Sequence, residues 1–353
     1  MITLVFTCRD REINTIERCL NSLLLQSNSD FEIVFVDYGS TINYNEKLNE
    51  LLNNTKIKYI KCDVPKQLWN KSRAINIALK DCQNPFFFVG DIDMIFHSNF
   101  VQKLHENKDE NAVSYFQVGF LDKNESERNC LFEDYKINFN STADATGMTL
   151  YPTMLLKQIN GFDEFYHGWG SEDTDVHIRL QNLQIKVKYY DDEILILHQW
   201  HQKFYRSLKN KAPFHTFLER INSKYLLQTK ELKKTKSNLN NQWGIIPNEE
   251  EYRALTNPNV FISIKNEKDS IDALLRGSIF EIKDSILQVE IKKVKDEKKN
   301  KNFIKKIIGK KHQKYYDLEI INDLILETII SSFRNAPYEY CMDKNRIHLK
   351  IKL

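Results

Sequence analysis

The sequence predicts an α/β protein with a mostly parallel sheet, helices on both of its faces, and a small α/β unit at the carboxyl end. Three observations lead there. Short β-branched apolar runs alternate with helical periodicity from residue 2 to about residue 90. Acidic turn residues follow the second and fourth runs, at Asp37 and at Asp91/Asp93, where open α/β sheets bind ligands. A polar, Lys/Asn-rich stretch from about 203 to 250 then separates this pattern from the last 100 or so residues.

Ile2–Cys8 is apolar and β-branched and reads as a buried strand. Asn14–Leu25 places Ile16, Cys19, Leu20, Leu23 and Leu24 at helical spacing. Phe31–Val36 is the second strand and stops at the turn Asp37-Tyr-Gly-Ser40. Glu46–Leu52 reads as a helix, Ile57–Lys61 as the third strand and Ser72–Lys80 as a helix. Phe86–Val89 is the fourth strand and stops at Gly90-Asp-Ile-Asp93. Such β-α-β order makes the strands parallel neighbours. Val113–Phe120, Ile185–Tyr190 and Ile194–His198 read as further strands, and Asp173–Gln181 as a helix behind the segment Gly161–Gly170. Helical segments recur near Pro213–Glu231. A boundary near 245–255, around Pro247 and Pro258, divides a main domain of residues 1–250 from an accessory domain of 251–353. In the latter, Ile279–Val294 alternates like strands on either side of Asp284-Ser285, Leu318–Phe333 is an amphipathic helix, and Arg346–Leu353 is a terminal strand.

Composition narrows the function classes. The net charge of +3 is too small to make nucleic acid the expected partner. Six scattered cysteines with no C-x-x-C pair give neither a zinc ribbon nor a disulfide framework, and fit free thiols in a reducing cytosol. No signal peptide opens the chain, and no apolar run reaches the roughly 18–20 residues of a membrane span, so a cytoplasmic protein is expected. Residues 292–314 hold eleven lysines against Asp296 and Glu297. They read as a solvated loop or as a basic surface for peripheral contact with anionic lipid or glycan.

Three motifs carry chemistry. The first is Asp91-Ile-Asp93. Residues two apart on an extended chain point the same way, and carboxylates suit Mg²⁺ or Mn²⁺ that bridge to phosphate oxygens. The second is Gly168-Trp-Gly-Ser-Glu-Asp-Thr-Asp175, behind Asn160-Gly-Phe-Asp-Glu164. Helix capping accounts for one carboxylate, but not for three beside a tryptophan that can hold a sugar ring. The third is His198-Gln-Trp-His201, two histidines three apart that can ligate a metal from one turn. Asp37 can accept from a nucleobase or ribose, and Arg73 can approach a diphosphate. Each has a structural pair as its alternative. Arg9, just past the first strand, joins them as a candidate substrate-binding residue. The set fits transfer of a sugar from a nucleotide diphosphate. The leaving diphosphate gains charge that a cation must neutralise, and the attacking hydroxyl must give its proton to a carboxylate.

Taken in order, Ile16-Glu-Arg-Cys-Leu-Asn-Ser-Leu23, Val36-Asp-Tyr-Gly-Ser40, Asn70-Lys-Ser-Arg-Ala-Ile-Asn-Ile-Ala-Leu79 and Gly90-Asp-Ile-Asp93 resemble glycosyltransferase family 2, of the Rossmann-like GT-A fold. The likeness covers about residues 1–205. Asn160–Asp175 is similar to the acceptor and base segment of β-1,4-galactosyltransferases and bacterial chondroitin-type polymerases. The resemblance implies Asp173 as general base, Glu172 on acceptor hydroxyls, Trp169 between acceptor and donor, and Gly170 at the acceptor pocket. It also implies Asp91 near the ribose or donor sugar and Asp93 on the metal. His198 and His201 match the late metal-ligand positions; spacing favours His201, and either can serve. The implied reaction is inverting and Mn²⁺- (or Mg²⁺-) dependent. The implied donor is a UDP-sugar (Gal, GalNAc, Glc or GlcNAc), and the acceptor is a glycan or glycolipid in bacterial surface polysaccharide or glycoconjugate synthesis. Tyr38 departs from the family pattern, where a second aspartate is common, and so does Gly170-Ser171, where a double glycine is common. Two rivals are weaker. A nucleotidyltransferase would carry a glycine-rich basic loop where Thr7-Cys-Arg-Asp-Arg-Glu12 stands. A non-catalytic glycan-binding scaffold would have shed part of the carboxylate set.

Overall fold

The computed structural model describes residues 1–53, 55–202, 213–294 and 312–353. Of the Lys-rich segment 292–314, residues 295–311 lie outside the described residues. The chain divides into two compact units.

The first unit takes Met1–Pro65, Trp69–Ser207 and Glu219–Ile246. Its central strand β1 (Ile2–Cys8) is buried along its whole length, as a strand covered on both faces must be. The elements α1 (Ile13–Leu24), β2 (Phe31–Tyr38), α2 (Ile42–Leu52), β3 (Lys58–Cys62), α3 (Lys71–Asp81) and β4 (Phe86–Asp91) follow in alternation. β2 and β4 flank β1, both parallel to it, and β3 lies parallel outside β2. The helices make the crossovers that parallel strands require. α1 buries Ile16, Cys19, Leu20 and Leu23, the stripe its periodicity predicts.

Beyond β4 the order is less regular. β5 (Met94–Phe96), α4 (Phe100–Glu106), β6 (Ala112–Phe116), β7 (Gly119–Phe120), α5 (Lys123–Glu127), β8 (Phe139–Asn140) and β9 (Thr149–Pro152) lead to α6 (Thr153–Gln158) and α7 (Glu172–Asn182). β10 (Lys186–Tyr190), β11 (Ile196–His198) and α8 (Leu218–Glu231) complete the unit. The main sheet has the order β10-β6-β9-β4-β1-β2-β3, with β9 antiparallel between β4 and β6. A small second sheet has the order β5-β11-β7-β8. The run 113–120, expected as one strand, is therefore two, β6 in the large sheet and β7 in the small one. At the break, Gln117 N donates to Tyr190 O and Val118 N to Ser141 Oγ, so the backbone changes partners there. Phe88, Phe96, Phe100 and Phe116 pack with ring centroids 4.7–6.4 Å apart beneath the end of β4.

The second unit takes Pro247–Leu353 with Lys66–Leu68 and Leu208–Leu218. After α9 (Glu249–Ala254) come β12 (Val260–Lys265), α10 (Lys268–Ala273), α11 (Ile279–Glu281), β13 (Ile286–Lys292), a helix at Leu318–Ser332, β14 (Tyr338–Met342) and β15 (Arg346–Lys352). The sheet order is β12-β13-β15-β14. Residues 279–281, expected to be strand, are helical. Ile271, Leu274, Leu275 and Ile279 are all buried, and steps of three and four put them on one helix face. Asp284 then takes φ 51° in the turn before β13. All six cysteines are free. Among the described residues no helix is long and apolar enough to cross a membrane.

Candidate active site

The site lies in the first unit, where β4 ends. Asp93 follows that strand and is buried, and the end of β11 brings two imidazoles to it. His201 Nε2 is 3.2 Å from Asp93 Oδ2, and His198 Nε2 is 3.9 Å from Oδ1. One ligand atom from each of the three residues falls within a 4.8 Å cluster. Both histidines therefore reach Asp93, where spacing alone favoured one. Burial pushes the Asp93 carboxyl up, but the imidazoles and the Arg11 guanidinium, 3.0 Å from Oδ2, outweigh it and hold the carboxyl below the usual carboxylate range. Oδ1 is buried with no hydrogen-bond partner among the described residues, an arrangement that costs free energy unless something binds there. An oxygen without a partner beside two imidazole nitrogens is a donor set that fits a divalent transition ion. Burial also lowers the His198 pKa, which favours the neutral ring that a metal needs.

The acidic cluster forms the other half. Lys71, the first residue of α3, puts its Nζ 3.0 Å from Asp91 Oδ1, 3.1 Å from Asp173 Oδ2 and 3.5 Å from Glu172 Oε1. Burial disfavours the charge on Lys71, but the three carboxylates hold it protonated. Asp173 moves the other way. Its burial, with Glu172 and Asp91 nearby, pushes it up to about 7 against the pull of Lys71. The two shifts do not describe a single ion pair. Among the described residues one cation faces three carboxylates, which leaves surplus negative charge, and the proton that relieves it goes to Asp173. Trp169 stands three residues before the start of α7 and is 47% exposed. Gly170 has φ +98° and Ser171, at the helix start, φ 77°, so the turn is left-handed through both.

The remaining candidates have other partners. Asp37 is buried; its Oδ1 accepts from Ser40 N and its Oδ2 from Tyr59 Oη, while burial raises its pKa. Arg9 donates to Gly39 O at 3.0 Å and to Val64 O at 2.7 Å, closing the turn after β2. Arg73 is buried with its Nε 2.7 Å from Glu164 Oε2. Sequence reasoning missed Lys71 and Arg11. Lys71 carried a signal: it is adjacent to the helix cap Asn70, which accepts from Arg73 N. Two residues along a helix is about 200° of rotation, so Lys71 and Arg73 point to opposite sides.

Residues 3–154 match the family described as glycosyl transferase family 2, and residues 126–202 match the one described as the N-terminal domain of galactosyltransferase. The first unit is thus a GT-A glycosyltransferase domain of the family 2 type, carrying a galactosyltransferase-type region. No curated protein matches the chain. Among solved structures it is similar to the mannosyltransferase PcManGT from Pyrobaculum calidifontis, in complex with GDP-Man and Mn²⁺, at 13% identity and TM-score 0.43 over 58% of each chain. It is similar to GalNAc-T7 with UDP, GalNAc and Mn²⁺ at 15% identity and TM-score 0.45, over 57% of this chain and 44% of that one. It is also similar to S. aureus TarS 1-349 in complex with UDP at 13% identity and TM-score 0.47, over 94% and 91%. The chain spans little more than half, or less than half, of the first two.

Proposed function

We propose that the protein is an inverting, metal-dependent glycosyltransferase that moves a hexose or N-acetylhexosamine from a UDP-sugar to a hydroxyl of a glycan or glycolipid acceptor. One observation supports it above the rest. Lys71 joins Asp91, two residues from the metal-binding candidate Asp93, to Asp173, the candidate base. The donor side and the acceptor side therefore share one partly buried cation.

Asp93, His198 and His201 would hold the ion, and Mn²⁺ suits two imidazoles better than Mg²⁺ does. When bound, it supplies positive charge to the departing diphosphate. Asp173, ionised, takes the proton of the acceptor hydroxyl. The hydroxyl oxygen forms its bond to the anomeric carbon as the bond to the UDP oxygen breaks, which inverts that centre. Glu172 orients acceptor hydroxyls, and Trp169, half exposed, packs against a sugar ring. Lys71 keeps Asp91 and Asp173 at a fixed separation.

The test is a panel of nucleotide sugars assayed with Mn²⁺ and with chelator. Turnover of one UDP-sugar is expected, abolished by chelation and restored by Mn²⁺, with the opposite anomer in the product. If no nucleotide sugar binds with or without metal, the scaffold reading replaces this one. A retained anomer would remove the single displacement.

A further inference from the structure

We infer that Phe120 is the positioning residue that sets the His198 imidazole for metal binding, with Phe139 as its brace. This rests on the metal reading above. The three rings form one column. His198 lies on Phe120 with centroids 4.7 Å apart and planes 28° from parallel, and Phe120 lies on Phe139 at 4.7 Å and 6°. Strand pairing produces the column. In the small sheet His198 is the register partner of Phe120, and Phe120 is that of Phe139. Register partners project from the same face of a sheet, and neighbouring strands stand about 4.8 Å apart. That strand spacing is also the ring spacing, so the backbone itself delivers the rings face to face.

The two histidines are oriented differently. His201 Nδ1 is 3.1 Å from the Gln202 carbonyl oxygen, the usual way a metal-binding imidazole is held. His198 Nδ1 has no such bond among the described residues. Its Nε2 faces Asp93 Oδ1, and rotation of the ring about its bond to Cβ would carry that nitrogen away. The flat face of Phe120 blocks this rotation. Phe120 is partly buried, whereas Phe139 is 56% exposed, so the column ends in solvent and its outer ring can be changed without opening the core.

Mn²⁺ affinity of the full chain, read from the electron paramagnetic resonance signal of free Mn²⁺ with no donor present, decides the matter. F120L keeps an apolar side chain but loses the plane, and it should bind Mn²⁺ about tenfold or more weakly. F139A should bind several-fold more weakly. F120Y retains the plane and should bind like the wild type. Wild-type affinity in both F120L and F139A overturns the inference, as does a loss in F120Y equal to that in F120L. If F120L does not fold, F139A alone decides, since its side chain is exposed. A wild-type chain that binds no Mn²⁺ defeats the metal reading, and this inference with it. A wild-type chain that binds while F120L and F139A are unaffected defeats this inference only.

Discussion

As the proposed general base, Asp173 meets two demands that conflict. A general base must be ionised to accept a proton, yet burial and two neighbouring carboxylates raise its pKa to about 7. Lys71 moderates the conflict, because among the described residues it is the cation that touches Asp173, Asp91 and Glu172 together. The sign of the pH dependence follows. The base works above its pKa, so kcat/KM should rise with pH through about 7 and be lost below it. In K71M the attraction that lowers the Asp173 pKa is gone, while burial, Glu172 and Asp91 remain. The acid limb should then move upward by about one unit or more, and K71R should keep it near its wild-type position. D173N should lose about 10²–10⁴ in kcat with Mn²⁺ binding unchanged. An acid limb that stays in place in K71M would remove Lys71 from the tuning of the base. At this scale the sequence showed the carboxylates clearly, because acidic residues at strand and helix ends stand out. It did not show which neighbouring cation turns toward them. Lys71 and Arg73 differ by two positions and by half a helical turn, and only the packing of α3 decides which faces the cluster.

At the scale of elements, residues 160–164 of the segment proposed to bind acceptor are fastened to α3. Asn76 Nδ2 donates to Phe162 O and its Oδ1 accepts from Phe162 N, both at 2.8 Å, so one amide side chain pairs with the backbone as a strand would. Glu164 accepts from Arg73 Nε, Asn76 Nδ2 and Gly244 N. Gly161 makes the clamp possible. It has φ +65°, and a Cβ there would lie 2.3 Å from Asn76 Oδ1. G161A must strain the backbone and displace Asn76, which should cost about 2 kcal/mol or more, measured by urea unfolding. The same variant should lose transfer activity more steeply than Mn²⁺ affinity, because the proposed acceptor segment moves and the Asp93 site does not. A stability equal to wild type would show that α3 yields more easily than its contacts imply. The main β-α-β elements were legible from periodicity. The short strands β5, β7 and β8 were not, since two or three residues carry no period, and β7 and β8 are the elements that bring the rings beneath His198. Helix α11 was missed because its face is completed by Ile271, which lies outside the window read as alternating.

For the molecule as a whole, the two units are not successive along the chain, and this predicts how truncation behaves. The second unit includes Lys66–Leu68 and Leu208–Leu218. Within it, Gln67 Nε2 donates to Tyr252 Oη at 2.7 Å and to Tyr338 O at 3.0 Å, and Leu68 N donates to Tyr338 Oη at 2.8 Å. Asn322 Nδ2 donates to Phe214 O at 2.9 Å, and His215 Nε2 lies 3.1 Å from Glu327 Oε1. Gln67, Leu68 and His215 are all buried. A chain ending near residue 250 keeps these groups and loses what pairs with them. Each polar group stripped of its partner costs about 1 kcal/mol or more, and for a chain of this size that is about 2–4 °C apiece in Tm. Four such groups should lower Tm by about 10 °C. Scanning calorimetry of the full chain and of residues 1–250 measures the difference. A truncated chain that melts within a few degrees of the full one would mean that these segments re-pair or hydrate at no cost. The second unit would then be an appendage rather than part of what holds residues 66–68 and 213–218 in place.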